Sequence, residues 1–263
     1  MSKIGFVGMG NMAKALASGF IKSGAVDGMD VYAYAPTQDK LMKNADEIGF
    51  LPMTSVTAVV QNADIIIIAC KPYQIDKVLD ETRDILKGKA IVSIASGWFY
   101  QTFADKVRDV RIQCVMPNTP AMVGEGVFLF EEAGSLAPLE LAEVMNMFST
   151  IGLVVSMPTR HMSIASAISG CGPAFMDVIM EAYGDAAVKY GLSRETAYKL
   201  IAKTMVGSAK LQLETGKHPG LLKDEVCSPA GTTIRGIASL EKNGMRNACI
   251  ECIDAIMNFK TTK

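Results

Sequence analysis

Lys3-Ile4-Gly5-Phe6-Val7-Gly8-Met9-Gly10-Asn11-Met12-Ala13-Lys14-Ala15-Leu16 stands near the start of the chain and decides its fold. An apolar run breaks at the glycines and passes into apolar residues at helical spacing, which predicts a strand, a tight turn and a helix. Gly8 allows the turn, Gly10 lets backbone approach a pyrophosphate, and Ala13 lets the helix pack closely on the strand. Because N–H groups at a helix start bind phosphate, the stretch predicts a dinucleotide-binding site.

The alternation of strand and helix continues through the first 158 residues. Further strands are predicted at residues 31–34, 63–69, 90–95, 111–116, 126–131 and 153–156, with helical stretches between them. Regular alternation of this kind predicts an α/β fold, a Rossmann-type doubly wound parallel sheet. We therefore place a dinucleotide-binding domain at residues 1–158.

From Arg160 onward the chain carries only helix signals, and we predict an all-helical domain at residues 159–263. The helix predicted at residues 175–190 confines its polar side chains to a stripe of Asp177, Glu181, Asp185 and Lys189. The other faces of this helix are apolar and must be buried against other elements, but so short a domain has too few residues to bury all of them. We expect a second subunit to supply part of that cover.

Composition excludes several classes of partner. The chain has 263 residues, 49% of them hydrophobic and 20% charged, with a net charge of −1. These values predict a soluble protein without the field that attracts nucleic acid or an anionic membrane. We find no signal-peptide pattern and no apolar run of membrane-spanning length, so we expect a cytoplasmic protein with small-molecule ligands.

Metal and redox chemistry are not expected. The chain has only two histidines, too few for a histidine-based metal site. Among six scattered cysteines only Cys249-x-x-Cys252 has a suggestive spacing. That pair shares an apolar helical face with Ile253 and Ile256, which predicts buried thiols.

The end of the second strand selects the cofactor. NAD-preferring sites usually carry Asp or Glu there, and this chain has Ala35-Pro36-Thr37 instead. A 2′-phosphate is then not repelled, and Thr37, Gln38 and Lys40 are available to contact it. We expect NADPH, with NADH as the alternative.

The remaining cofactor contacts are expected where later strands end. Lys71 follows the third long strand, with a solvated loop lysine as the alternative interpretation. Asn118 lies in a loop shaped by Pro and Gly, where it would bond either the nicotinamide or nearby backbone. The predicted cofactor-binding residues are Gly8, Gly10, Asn11, Met12, Ala35, Pro36, Thr37, Ala69, Lys71, Pro72, Ala95, Gly97 and Asn118.

A second informative stretch is Val226-Cys227-Ser228-Pro229-Ala230-Gly231-Thr232-Thr233-Ile234-Arg235-Gly236. Its Pro and Gly shape a turn before a helix. The N–H groups of Gly231, Thr232 and Thr233 would then point out of the helix N-terminus, where they could bind a carboxylate. The hydroxyls of Ser228 and Thr233 suit a small polar ligand. A common Ser/Thr-rich helix cap is the alternative.

Five motifs, in order and across nearly the whole chain, closely resemble the pyrroline-5-carboxylate reductase family. They are Gly8-x-Gly10-Asn11-Met12-Ala13, Lys71-Pro72, Met116-Pro117-Asn118-Thr119-Pro120-Ala121, Ser169-Gly170-Cys171-Gly172-Pro173-Ala174-Phe175 and Ser228-Pro229-Ala230-Gly231-Thr232-Thr233. The last, with Leu240-Glu241-x-x-Gly244-x-Arg246, is the most specific.

The resemblance implies reduction of Δ1-pyrroline-5-carboxylate to L-proline, the last step of proline synthesis, with NADPH or NADH. It also implies a helical domain that interlocks with a second subunit, an active site at the dimer interface, and in some members a decamer of five dimers. We assign substrate binding to Ser228, Gly231, Thr232 and Thr233, and the catalytic roles to Thr233 and Ser228. The Thr233 hydroxyl would contact the ring nitrogen.

Two positions depart from the family pattern. Ala230 stands where many members have Gly, which is tolerated if the backbone there does not need positive φ. Val56 stands where members often carry an Asn near the adenosine, which leaves the choice between NADPH and NADH open.

Two other functions remain as alternatives. An NADP-dependent β-hydroxyacid or imine reductase has a similar architecture, but such enzymes use a lysine on the interdomain helix, and residues 165–178 contain none. A catalytically silent dinucleotide sensor would bind NADPH without turnover.

Overall fold

The computed structural model describes residues 2–259, which form two compact units, one ending at Pro173 and the other beginning at Ala174. The first unit contains an eight-stranded sheet with helices on both faces, and the second is helical, so the predicted fold class is confirmed. The strands are β1 (Ile4–Val7), β2 (Val31–Tyr34), β3 (Leu51–Pro52), β4 (Ile65–Ile68), β5 (Ala90–Ser93), β6 (Arg111–Met116), β7 (Gly126–Gly134) and β8 (Gly152–Met157).

Seven α-helices belong to the first unit: α1 (Asn11–Lys22), α2 (Gln38–Ile48), α3 (Val56–Asn62), α4 (Ile75–Thr82), α5 (Tyr100–Ala104), α6 (Pro138–Ser149) and α7 (Thr159–Ser169). The next helix, α8 (Gly172–Lys189), leads into the second unit. There it is followed by α9 (Arg194–Thr215), α10 (Pro219–Val226), α11 (Thr232–Lys242) and α12 (Met245–Met257).

The sheet has the order β3-β2-β1-β4-β5-β6-β7-β8, and its first six strands are parallel. The order reverses beside β1, so the carboxyl ends of β1 and β4 border the crevice where such folds bind ligands. Strand β7 runs antiparallel to β6, because the connection at residues 117–125 is shorter than the dozen or so residues that a parallel crossover needs. The two-residue edge strand β3 is an addition to the predicted strands.

The isoleucine run of β4 explains why the sheet is covered on both faces. Alternate side chains point to opposite faces, so Ile65 and Ile67 pack with Phe20 and Phe148, whereas Ile66 and Ile68 pack with Val59 and other residues of the second core. All four isoleucines are fully or almost fully buried. The sheet is therefore a rigid platform for the loops at its carboxyl edge.

Helix α7 belongs to the first compact unit, although the predicted domain boundary lies at 158/159. Its first residue, Thr159, donates its hydroxyl to a Glu131 carboxylate oxygen at 2.6 Å, and Glu131 on β7 is buried. That carboxylate also accepts the Tyr100 N–H at 2.8 Å. These contacts join α7 to the sheet, and the compact units divide at 173/174.

The second unit buries very little of itself. Among its described residues only Gly184 and Ala197 are buried, and side chains such as Val178 and Leu213 are exposed. Cys249, which the sequence predicts as a buried thiol, is also exposed. The apolar face that predicted its burial lacks a covering element within the described chain.

The helical stretch Thr159–Lys189 reaches a mean hydropathy of 1.3 over an 18-residue window, so by length and composition alone it could span a membrane. This differs from the prediction that no run approaches that length. The stretch is not an uninterrupted apolar run, because Asp177, Glu181 and Asp185 lie within it. Carboxylates at every fourth position are typical of a helix with one solvated stripe.

Candidate functional site

The two glycines of the first turn have different structural roles. Gly8 has φ +101°, and a Cβ there would lie 2.7 Å from the backbone oxygen of Ala69. Its N–H donates to the Tyr34 oxygen at 2.8 Å, which joins the turn to β2. Gly10 has φ −80°, and a Cβ there would meet no atom within 4 Å. Gly8 is thus required by the fold, whereas Gly10 leaves open space.

That open space lies at the start of α1. Gly10 is the N-cap residue, no side chain caps the helix, and its first turn contains no acidic residue. The first N–H groups of a helix lack intrahelical partners and carry partial positive charge. A phosphate placed over Gly10 would receive these hydrogen bonds.

A cleft of about 740 Å³ opens along the carboxyl edge of the sheet in the first unit. It is within the volume range of small-molecule and cofactor sites. Eleven of the thirteen predicted cofactor residues line it: Gly8, Gly10, Asn11, Met12, Ala35, Pro36, Thr37, Ala69, Lys71, Pro72 and Ala95. Gly97 and Asn118 are not among its lining residues.

The Asn118 side chain is hydrogen-bonded to backbone atoms of the first unit. Its side-chain nitrogen donates to the Ser169 oxygen at 2.9 Å, and its side-chain oxygen accepts the Val127 N–H at 2.8 Å. The residue is 5% exposed. Of the two expected roles, bonding to nearby backbone is the one that the structure contains, so Asn118 holds the loop rather than reaching the cleft.

One end of the cleft lies beside the carboxyl end of β2, and no acidic residue stands at that end of the strand. Thr37 and Lys40 line it and are exposed, whereas Gln38 donates its amide to the Ala35 oxygen at 2.8 Å. A lysine and a hydroxyl suit a 2′-phosphate. The residues at this end of the cleft therefore favour NADPH.

Several lining residues lie outside the predicted set: Tyr34, Leu41, Asn44, Ser55, Val56, Gln74, Lys77, Val78, Glu81, Ile94 and Ser96. One of them, Asn44, carried a sequence signal. It stands at helical spacing with the buried Leu41 and Ala45 of α2, on a face where an amide is unusual. Its polar group therefore needs a partner from outside the helix.

Lys71 and Cys70 line the cleft after β4. Lys71 is exposed, and its N–H is fixed by the Gln74 side-chain oxygen at 3.1 Å. Burial raises the pKa of the Cys70 thiol, although a backbone hydrogen bond opposes this shift. The thiol is therefore neutral at pH 7 and does not repel a phosphate.

These features fit a dinucleotide. The uncapped start of α1 offers free N–H groups to a phosphate, and the open space over Gly10 leaves room for one. The lining of the cleft is therefore suited to the pyrophosphate of a dinucleotide.

The second predicted site lies in the second unit, where α10 ends and α11 begins. Helix α11 starts at Thr232, with Gly231 as N-cap, no capping side chain and no acid in its first turn. The Gly231 N–H donates to the Ser228 oxygen at 3.1 Å, so it belongs to the turn and is not free for a ligand. Because the helix starts at Thr232, the free N–H groups are those of Thr232, Thr233 and Ile234.

Ser228 is held directly beside Gly231. A Cβ at position 231 would overlap the Ser228 hydroxyl oxygen and lie 3.0 Å from the Ser228 backbone oxygen. A side chain at position 231 would therefore force the Ser228 hydroxyl to move from its place at the helix start. The exposed Ser228 and the half-buried Thr233 are brought together at one anion-binding helix terminus.

Ala230 has φ +60°, in the left-handed region. The condition under which alanine would be tolerated there, a backbone without positive φ, is therefore not met. An L-residue in this conformation is strained by about 1 kcal/mol. The turn that presents Ser228 holds that strain.

The motif Leu240-Glu241-x-x-Gly244-x-Arg246 forms the turn between α11 and α12. Gly244 has φ +75°, and Arg246 Nε lies 2.7 Å from Glu241 Oε1. Both residues are exposed, so the ion pair contributes little to stability. The motif shapes the helix pair that carries Thr233.

Comparisons with known proteins match both units. A family model described as pyrroline-5-carboxylate reductase dimerisation matches residues 159–262, and one described as NADP oxidoreductase, coenzyme F420-dependent, matches residues 3–97. Pyrroline-5-carboxylate reductase from Escherichia coli is 42% identical and aligns with 97% of this chain and 96% of its own length. The enzyme of that name from Treponema pallidum is 38% identical over 97% of this chain and 98% of its own.

A solved structure shares the architecture. Pyrroline carboxylate reductase from Plasmodium falciparum, with NADP bound, has a TM-score of 0.87 and 31% identity, covering 97% of this chain and 95% of that one.

Proposed function

Since this chain belongs to the pyrroline-5-carboxylate reductase family and reduces Δ1-pyrroline-5-carboxylate to L-proline with NADPH, we propose that the two sites described above perform that reaction. The observation that supports this most is the uncapped, acid-free start of α11 with Ser228 and Thr233 beside it. A carboxylate is the charged group that such a terminus stabilises.

The substrate requires little acid catalysis from the protein. Its protonated cyclic imine is already an electrophile, and NADPH when bound supplies the hydride that the imine carbon accepts. The chain's own contribution is alignment, which can lower a barrier by about 7 to 11 kcal/mol.

We assign the substrate carboxylate to the N–H groups of Thr232, Thr233 and Ile234 and to the Ser228 hydroxyl. The Thr233 hydroxyl contacts the ring nitrogen. Gly231 takes a different role from the predicted one, because its N–H closes the turn to Ser228 and its missing side chain leaves room for the Ser228 hydroxyl.

We assign the cofactor pyrophosphate to the start of α1, the 2′-phosphate to Thr37 and Lys40, and the remaining contacts to the predicted lining residues from Ala69 to Ala95. Asn118, whose amide bonds the backbone of Ser169 and Val127, holds the loop that follows β6. NADH, which lacks the 2′-phosphate, would bind the same cleft more weakly.

The protein is a homo-oligomer, and we propose a homodimer built on α8 and its neighbours, with the active site at the subunit interface. The support is the near absence of burial in the second unit: apolar side chains along α8, such as Met176, Val178 and Tyr183, are exposed within one chain. Large apolar patches of this kind mark protein interfaces. A decamer of five dimers is the larger assembly that we propose.

Val178→Asp is expected to dissociate the dimer and abolish turnover, because it buries an unpaired carboxylate in the interface. The measurement is the molar mass in solution by sedimentation, with the turnover rate measured on the same sample. Met29→Asp is the matched control, since Met29 and Val178 are both 65% exposed and Met29 lies in the first unit. Equal masses for the two variants would contradict the proposed interface.

We place the protein in the cytoplasm, without nucleic acid or membrane partners. Its six cysteines form no disulfide among the described residues, and its net charge is −1. Free thiols fit a reducing compartment.

The reaction is tested by following NADPH absorbance with purified protein and pyrroline-5-carboxylate, with proline identified by chromatography. We expect proline to form in step with NADPH consumption, and faster than with NADH at equal concentration. NADPH binding without proline formation would instead favour another imine substrate or a dinucleotide sensor.

A further inference from the structure

Helix α7 is held at both ends by buried polar side chains of the first unit. At its start, the Thr159 hydroxyl donates to Glu131 Oε1 at 2.6 Å. At its end, the Asn118 side-chain nitrogen donates to the Ser169 oxygen at 2.9 Å. Glu131 is 3% exposed and Asn118 is 5% exposed, so both side chains are fixed inside the protein. We call Glu131 and Asn118 the anchors of α7.

The anchor at the end of α7 joins the helix to the sheet. The last carbonyl groups of a helix have no partner within the helix, and the Asn118 amide bonds one of them, at Ser169. The oxygen of the same amide accepts the Val127 N–H of β7 at 2.8 Å. One buried side chain therefore fixes the end of α7 relative to β7.

The anchor at the start of α7 joins the helix to the segment beside the cofactor cleft. Glu131 lies on β7, and its second carboxylate oxygen accepts the N–H of Tyr100, the first residue of α5, at 2.8 Å. A carboxylate is stabilised by the partial positive charge at a helix start. Ala95 and Ser96, in the connection between β5 and α5, line the cleft. Glu131 therefore links α7 to the segment that leaves the cleft.

Other contacts fix α7 only weakly. Among its residues only Met162 and Ala167 are buried. Within residues 2–259, the side-chain hydrogen bonds that join α7 to other elements are the two at its ends. A helix of 11 residues is about 16 Å long, so these two bonds are far apart and oppose both sliding and tilting of the helix.

The position of α7 matters because the chain leaves the first unit directly after it. Helix α8 begins at Gly172, and the units divide at 173/174. The proposed cofactor site belongs to the first unit and the proposed substrate site to the second. Hydride transfer needs reacting atoms about 3 to 3.5 Å apart, and a misplacement of about 1 Å can cost about a hundredfold in rate.

We propose that Asn118 and Glu131 are positioning residues for hydride transfer, which act by holding both ends of α7 and so fixing the point from which the chain continues to the substrate-binding unit. This inference rests on the proposed function. Neither anchor lines the cofactor cleft, and neither is assigned a contact with the cofactor or the substrate.

The test measures the rate of hydride transfer in a single turnover, from the loss of NADPH absorbance after substrate is added to the enzyme–NADPH complex. Thr159→Val removes the hydroxyl that Glu131 holds and keeps the side-chain shape. Asn118→Asp keeps an acceptor for the Val127 N–H and removes the donor to Ser169. Each variant is expected to lower the rate about fivefold, the effect of about one hydrogen bond.

The double variant Thr159→Val with Asn118→Asp gives the sharpest result. Effects at two sites so far apart multiply when the sites are independent. Either anchor alone still holds one end of α7, whereas loss of both frees the helix. We therefore expect the double variant to be slower than the product of the single effects, by about a hundredfold relative to the parent.

Three controls separate this role from a merely structural one. The NADPH dissociation constant should stay at the parent value in every variant, because the cleft lining is unchanged. Thr159→Ser restores the hydroxyl and should recover the parent rate. Thr150→Val is the matched control, since Thr150 is exposed like Thr159 and its hydroxyl lies 2.9 Å from that of Ser23, joining α6 to α1. It should transfer hydride as the parent does.

A double variant with the parent rate, or with a loss equal to the product of the single losses, would overturn the proposal. Weaker NADPH binding in step with the lower rate would also overturn it, because the anchors would then act on the cofactor site. Thr159 is exposed, so Thr159→Val is expected to fold. If the Asn118 variants do not fold, a rate for Thr159→Val equal to that of Thr150→Val overturns the proposal. A parent protein that forms no proline would instead overturn the proposed function itself.

Discussion

Gly10→Ala is expected to weaken NADPH binding about a hundredfold while the free protein stays as stable as the parent. A methyl group at position 10 meets no protein atom within 4 Å, and the φ of −80° suits alanine. The methyl group would instead occupy the space over the uncapped start of α1, where the pyrophosphate needs close approach to backbone N–H groups. The dissociation constant comes from calorimetry and the stability from thermal unfolding.

Gly8→Ala is the matched comparison, two residues earlier in the same turn. Its Cβ would lie 2.7 Å from both the Ala69 oxygen and the Cys70 nitrogen, at φ +101°. It should therefore lower the melting temperature of the free protein, which Gly10→Ala should not do. If Gly10→Ala bound NADPH as tightly as the parent, the pyrophosphate would not lie over the start of α1.

Thr233→Ala is expected to lower kcat/KM for pyrroline-5-carboxylate about a hundredfold, with an unchanged dissociation constant for NADPH. The variant keeps the backbone N–H groups of α11 and removes only the hydroxyl assigned to the ring nitrogen. Losing that contact misaligns the imine, and alignment is the main contribution that we assign to this site. Steady-state kinetics with varied substrate, together with NADPH titration, measures both quantities.

Thr233→Ser tests the same assignment in the opposite direction, because it restores the hydroxyl without the methyl group. We expect it to recover most of the parent kcat/KM. Thr204→Ala on α9, where the hydroxyl donates to the Leu200 oxygen at 2.8 Å, controls for loss of a threonine elsewhere in the helical unit. Parent-like kinetics for Thr233→Ala would remove Thr233 from the site.

Local patterns do not report which hydrogen bonds are already made. The place of Gly231 before a helix predicts that its N–H binds the substrate, whereas in the structure that N–H closes a turn to Ser228. The loop of Asn118 leaves the nicotinamide and nearby backbone as alternative partners, and its amide bonds the backbone of Ser169 and Val127. Ser169 is 51 residues away in sequence, so no local pattern could have predicted that bond.

The sequence by itself determined the strand, turn and helix at residues 3–16 and the alternation of strand and helix that builds the sheet. Backbone preference and hydrophobic period are local properties, so a few neighbouring residues suffice to specify them. Only the tertiary structure decided that the Asn118 amide bonds the backbone of Ser169 and Val127, that Ala230 is held at positive φ, and that α7 packs on the sheet. The contacts of Asn118 and α7 join residues distant in the chain, and the φ of Ala230 is one that its residue type does not favour.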